Sequence, residues 1–257
     1  MNRIALHQST VHPLDPVGLV RVVERAGLQS IGLRVAAVGD GTQWWSKGIG
    51  SEMLHELVPA LLASRVTVLD VGRVELGPEL RVVDSRHAYS RALELGVRLG
   101  AQFVTARAAT GSAEDPAELF GLLAELAHRY RLRPLLSVVP GTPVADLERA
   151  VAVVGDTGGG VVLDVSPLRD EADRIADTVV ELGDLLGYVR VAARELGGAG
   201  AGRGMLATLP PEIAVAIGGT VADAPGAPGP IADDHVARVV ALREAVDAML
   251  RHPEAAH

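Results

Sequence analysis

Short apolar runs rich in β-branched residues alternate along the chain with amphipathic segments of helical length, and this alternation restricts the fold more than any other feature. Strands joined through a helix-length connection cannot form a tight hairpin; they pair in parallel, with the crossover helices packed on the sheet. The runs fall at residues 3–8 (RIALHQ), 30–35 (SIGLRV), 66–71 (VTVLDV), 102–107 (QFVTAR), 135–139 (LLSVV), 160–164 (GVVLD), 188–193 (YVRVAA) and 213–217 (IAVAI). Eight strands in strict alternation with about seven helices favour a closed (β/α)8 TIM barrel over an open doubly wound sheet, which more often has five or six strands. The 257 residues match the length of one such barrel, so one domain over 1–257 is expected, with a short tail from about 251.

The helices carry their own punctuation. Asp15-Pro16 opens the first and Gly27 closes it. Ser51 caps a segment in which Leu54, Leu57, Val58, Leu61 and Leu62 form one stripe. Further helices are expected to start near Ser85, Asp115-Pro116, Thr142-Pro143 and Asp233, the last running to about Leu250. Residues 204–211 are too few for a full helix, which predicts a degenerate seventh unit.

Composition narrows the chemistry. With 48% hydrophobic residues the chain can fill a large core. A net charge of -8 and no basic run argue against nucleic acid as a partner. No cysteine is present, which removes disulfides, thiolate metal sites and a cysteine nucleophile together. The only lysine is Lys47, so a Schiff-base mechanism has that residue or none. Neither a signal sequence nor an apolar run of about 18 residues is found, and a cytoplasmic location without membrane contact is the expectation.

Two loops stand out. Residues 36–50 (AAVGDGTQWWSKGIG) hold both tryptophans, Trp44 and Trp45, in a glycine-rich segment. They read as a lid that touches substrate, or else as packing over the rim or a subunit contact in a homodimer. Residues 195–204 (ELGGAGAGRG) are rich in glycine, yet they lack the lysine of a P-loop and the GxGxxG spacing.

Several phrases, in the same order over nearly the whole chain, resemble the xylose-isomerase-like family of sugar isomerases and epimerases: ERAGLQSIGLR, RALELGVRLGAQFV and RLRPLLSVVPGTPVADLERAVAVV. The resemblance implies a divalent metal at the C-terminal mouth of the barrel, held by two glutamates, an aspartate and a histidine. Here Ser137 stands where the family has a glutamate on strand five. Asp164 keeps the aspartate of strand six, but Pro167 replaces the histidine three residues on. Strand seven puts Arg190 and Ala193 where a polar residue and an acid commonly stand, and Ala216 or Ile217 takes the place of the last glutamate. One ligand of four survives, and one carboxylate with water would bind a hard divalent ion only weakly.

Barrel sites form at the C-terminal ends of strands. The residues there are His7, Gln8, Arg34, Asp70, Arg73, Arg107, Ser137, Asp164, Ser166, Arg190 and Arg194. Arginines dominate, which suits a carboxylate or phosphate ligand; alternatively they point outward and pair with helix acids such as Glu24 or Glu94. His7 is the only histidine on a predicted strand and reads as a general base or acid, or as a structural hydrogen-bonded residue. No GxSxG or HExxH signature is present.

The reading that follows is an isomerase, epimerase or lyase that needs no metal and no cofactor and acts on a small anionic hydroxy- or keto-compound. His7 and Asp164 would exchange protons, and Arg34, Arg107, Ser137, Arg190, Trp44 and Trp45 would bind substrate. Two alternatives stay open: a metal-dependent isomerase using other ligands, such as Asp70 or Glu195, and a non-catalytic barrel that binds a metabolite.

Overall fold

The structure, a computed structural model, describes residues 3–11, 14–34, 52–165, 172–193, 196, 205–218 and 233–251. In chain order they form β1 (Ile4–His7), α1 (Pro16–Arg25), β2 (Ser30–Arg34), α2 (Glu52–Ser64), β3 (Thr67–Leu76), α3 (His87–Arg98), β4 (Phe103–Ala108), α4 (Pro116–Arg129), β5 (Arg133–Ser137), α5 (Leu147–Val154), β6 (Gly160–Asp164), α6 (Ala172–Leu182), β7 (Leu186–Ala192), β8 (Val215–Gly218) and α7 (Asp233–Leu250). The strands close in sequence order into an eight-stranded barrel, as the alternation requires. Parallel register pairs Ala5 with Ala216, Arg190 with Ala216, Thr105 with Leu135 and Leu135 with Gly160.

Local chemistry sets the element ends. Asp15 accepts from Gly18 N at 2.6 Å and Asp115 from Ala117 N at 3.0 Å, so both Asp-Pro pairs cap helices as expected. The start of α5 differs from the expectation at Thr142-Pro143. The Thr142 hydroxyl donates to Val139 O at 2.8 Å, and Val139 N donates to Val144 O at 3.0 Å, making a turn that ends β5 at Ser137. Asp146 is the true cap, accepting from Arg149 N at 2.7 Å. Strand β3 runs to Leu76, five residues past the expected end, through a register shift between Gly72 and Val74. Helix α6 has no counterpart among the expected helix starts, and among the described residues no helix lies between β7 and β8, in keeping with a degenerate seventh unit. Ser51, the expected cap of α2, lies outside the described residues.

Contacts divide the chain into two compact units: Met1–Ile31 with Ala60–Val66 and Asp164–His257, and Gly32–Pro59 with Thr67–Leu163. In the first, α1 packs on α7, where Arg243 Nη1 donates to Ala26 O at 2.7 Å beyond the end of α1. Tyr188 is its largest fully buried side chain. In the second, β3, β4 and β5 form the sheet against α3, α4 and α5, with Phe120 and Leu93 fully buried. Among the described residues no helix is long and apolar enough to cross a membrane.

Candidate functional site

In the first unit, the pleat and the register fix which side chains share a face. Side chains two apart on a strand point the same way, and parallel partners do too. Ala5 pairs with Ala216, and Ala216 with Arg190, so His7 and Arg190 stand on one face of the sheet. His7 Nε2 lies 3.4 Å from Tyr188 Oη. Strands β1 and β7 are separated by β8, so this contact crosses the barrel interior, and the face is the inner one. Tyr188 is fully buried, and Arg190, two residues further along, comes one layer nearer the C-terminal mouth.

Asp164 closes β6 beside Arg190, since Val165 N donates to the Arg190 carbonyl at 3.0 Å. Arg190 Nε and Nη2 donate to Asp164 Oδ2 at 3.1 and 3.0 Å. The two side chains are only 14% and 29% exposed, so the pair acts in a medium of lower dielectric than water. A guanidinium has five N–H donors and this pair uses two; among the described residues the other three, both hydrogens of Nη1 and one of Nη2, have no acceptor. Gly218 at the end of β8 makes room for the arginine stem: a Cβ there would stand 3.0 Å from Arg190 Cδ. The buried polar groups beyond β1 serve the backbone, Thr10 Oγ1 donating to Ile217 O at 3.0 Å and Gln8 Nε2 to Leu14 O at 3.3 Å.

The second unit holds a similar acid–arginine couple. Arg107 Nη2 donates to Glu75 Oε2 at 3.0 Å across the register pair of β3 and β4. Below it, Thr105 Oγ1 donates to Asp70 Oδ2 at 2.9 Å, with both residues 1% exposed. Ser137 shares the Thr105–Leu135 face and is 1% exposed, with no hydrogen-bond partner for its hydroxyl among the described residues. Arg34 ends β2 half-buried. Arg73 lies within β3, at the register shift, rather than just past the strand. Trp44, Trp45, Ser166, Arg194 and Glu195 lie outside the described residues.

Arg107 and Arg190 therefore pair with strand acids, Glu75 and Asp164, instead of helix acids. Of the residues chosen from sequence, Asp164 and Arg190 are in direct contact. Sequence reasoning missed Tyr188 and Glu75. The phrase YVRV places Tyr188 two residues before Arg190, so strand periodicity alone marks it as a neighbour on the same face. Glu75 was hidden because Gly72 reads as a strand end.

Solved structures of the same architecture match almost the entire chain. A xylose isomerase domain containing protein from Salmonella typhimurium superposes with a TM-score of 0.67 at 12% identity, over 97% of this chain and 98% of that one. D-allulose 3-epimerase from a Methylomonas species gives 0.69 at 14%, over 96% and 98%. A xylose isomerase domain protein from Alicyclobacillus acidocaldarius gives 0.61 at 16%, again over 96% and 98%. The fold is the xylose isomerase-like TIM barrel. No protein-family model and no curated protein sequence matches the chain.

The metal that the xylose isomerase-like resemblance implies does not fit these residues. At the position of one ligand Ser137 offers a neutral hydroxyl, and at another Ala216 offers no donor. The surviving carboxylate, Asp164, already takes two N–H groups of a guanidinium on one oxygen, and that positive charge opposes a second cation. Among the described residues no three His, Asp or Glu side chains gather in a way that could hold an ion.

Proposed function

We propose that this xylose isomerase-like barrel is an isomerase, epimerase or lyase that moves a proton on a small anionic hydroxy- or keto-compound without a protein-held metal. One observation carries the reading: Arg190, fixed by Asp164 on the inner face, has N–H donors without an acceptor among the described residues, on the face that also carries His7. The likeness to D-allulose 3-epimerase supports the reaction type.

The substrate's carboxylate or phosphate pairs with the free edge of Arg190, a planar fork that recognises such groups in two-point geometry. His7 takes the proton from the carbon next to the carbonyl, the electron pair moves to the carbonyl oxygen, and the guanidinium stabilises the enolate. For isomerisation the His7 imidazolium returns the proton to the neighbouring carbon; for epimerisation the Asp164 carboxylate takes the proton from one face and the imidazolium delivers one to the other. Tyr188 keeps the imidazole in place from the layer below. Arg34, Arg107 and Ser137 remain proposed substrate-binding groups. The ligand in this reading is a metabolite, not a nucleic acid or a membrane, and the net charge of -8 fits the first of these exclusions.

The test is proton exchange from solvent deuterium into small 2-hydroxy acids, 2-keto acids and ketose phosphates, followed by NMR. His7→Gln should bind the same compounds and lose exchange by roughly 10²-fold or more. Arg190→Lys should keep the fold and weaken binding about tenfold, since the charge stays and the fork is lost. Unchanged exchange in His7→Gln together with a lower Tm makes His7 a structural residue and removes the catalytic assignment.

A further inference from the structure

A cavity of about 380 Å³ opens in the second unit where β3 passes into Gly77 and Pro78, facing α3 and the segment after β4. Its size lies in the range of small-molecule sites, roughly 300–1,000 Å³. The walls are mainly apolar, from Val74, Leu76, Pro78, Ala88 and the ring of Tyr89. The Tyr89 hydroxyl is already occupied, donating to Glu75 O at 2.8 Å and accepting from Gly77 N at 3.1 Å, so the tyrosine is fixed as a wall.

One charge in this lining is uncompensated. Glu75 is neutralised by Arg107, and Arg81 neutralises Glu118 through two bonds of 2.7 Å. Glu79 lines the cavity and has no ion pair among the described residues. Its carboxylate folds over Gly77: a Cβ at Gly77 would stand 2.3 Å from Glu79 Oε2 and 3.2 Å from Tyr89 Oη. The turn that carries Glu79, Pro78–Arg81, is clamped to α4 by the Arg81 fork, so the backbone beneath the carboxylate is fixed before any ligand arrives. The negative field is felt by the wall itself: burial first, then the charges of Glu79 and Glu75, push the Tyr89 phenol up to about 12.

The geometry points to a binding site for a small amphipathic cation, an alkyl- or arylammonium, with its ammonium on Glu79 and its apolar body against Val74, Leu76, Pro78 and Ala88. Charge-assisted hydrogen bonds to the carboxylate select the ammonium, and the walls select an apolar body over a bare cation. An anion of the same shape meets Glu79 as a like charge, and a neutral alcohol loses the ion pair. None of the residues of the proposed proton-transfer reaction lines this cavity, so the two readings stand or fall separately.

Titration of the full chain with hexylammonium, hexanol and hexanoate, followed by NMR shifts at neutral pH and low salt, tests the site. Hexylammonium should bind saturably and about tenfold tighter than hexanol, and hexanoate should not saturate. Glu79→Gln, at an exposed position, should bring hexylammonium to the affinity of hexanol and leave hexanol unchanged. Ala88→Phe, on the exposed side of α3, fills the cavity and should remove binding of both. Proton exchange at the proposed reaction site should be the same in Glu79→Gln as in the native chain. The proposal is overturned if hexylammonium shows no saturable binding, if hexanol or hexanoate binds as tightly, or if Glu79→Gln binds hexylammonium like the native chain.

Discussion

Gly72 sits where no side chain fits. A Cβ on it would stand 1.9 Å from Thr105 Oγ1 and 2.9 Å from Thr105 O, so β3 and β4 approach this closely only because the position is glycine. The displaced hydroxyl is the one that donates to the buried Asp70 carboxylate. Gly72→Ala should therefore cost about 1–3 kcal/mol from overpacking, read as a lower midpoint in chemical denaturation; a midpoint within error of the native chain would show that the sheet yields without loss. The same glycine explains what sequence could not show at this scale. Asp164 and Arg190 were legible as site residues because Asp164 closes β6 and Arg190 stands two residues before the end of β7. Glu75 was not, because a glycine within a strand and a glycine after one read alike until the partner strand is known. Tyr188 was legible in principle from its spacing to Arg190, but only if the inner face is already assigned.

At the scale of elements, α5 separates a true cap from an imitation. Thr142-Pro143 has the composition of a helix start, yet the Thr142 hydroxyl is turned back to Val139 O. Local chemistry was enough at Asp15 and Asp115, where nothing competes for the side chain. At Thr142 the competition came from a turn that sequence does not display. Asp146→Ala should lower stability by about 0.5–2 kcal/mol and expose the Arg149 amide to hydrogen exchange; Thr142→Ala should leave that amide protected. The reverse pattern would restore the earlier start. The junction of β3 and α3 carries a pH signature. Tyr89 is held up to about 12, with burial as the main cause, against an ordinary phenol near 10. A folded pKa above the unfolded one means that the folded chain keeps its proton longer. The resulting stability is complete below about 10 and is lost as pH rises from there through about 12. Absorbance at 295 nm should show a late-titrating phenol that Tyr89→Phe removes, and the variant should lose less stability over that window; an ordinary titration of all three tyrosines would contradict the assignment.

For the whole molecule, the closed order of eight parallel strands was legible because the alternation leaves little else to build: a helix-length connection forbids hairpins, and sequential crossovers around one sheet return β8 to β1. The chemistry was less legible, since the resembling phrases are mostly scaffold, while Ser137, Arg190 and Ala216 stand where the resemblance implies other residue types, in the C-terminal parts or interiors of strands that face the site. A strand-end set with one carboxylate of the implied metal ligands suits a different chemistry and a non-catalytic barrel alike, and turnover separates them. The direct measurement is solvent deuterium incorporation into the panel of hydroxy acids, keto acids and ketose phosphates by native protein before and after exhaustive chelation, with metal content determined alongside. The expected result is exchange at one carbon of at least one anionic compound, at a rate unchanged by chelation and lost in His7→Gln. Exchange that disappears on chelation and returns with a divalent ion, or tight binding of the same compounds with no exchange at all, would contradict it.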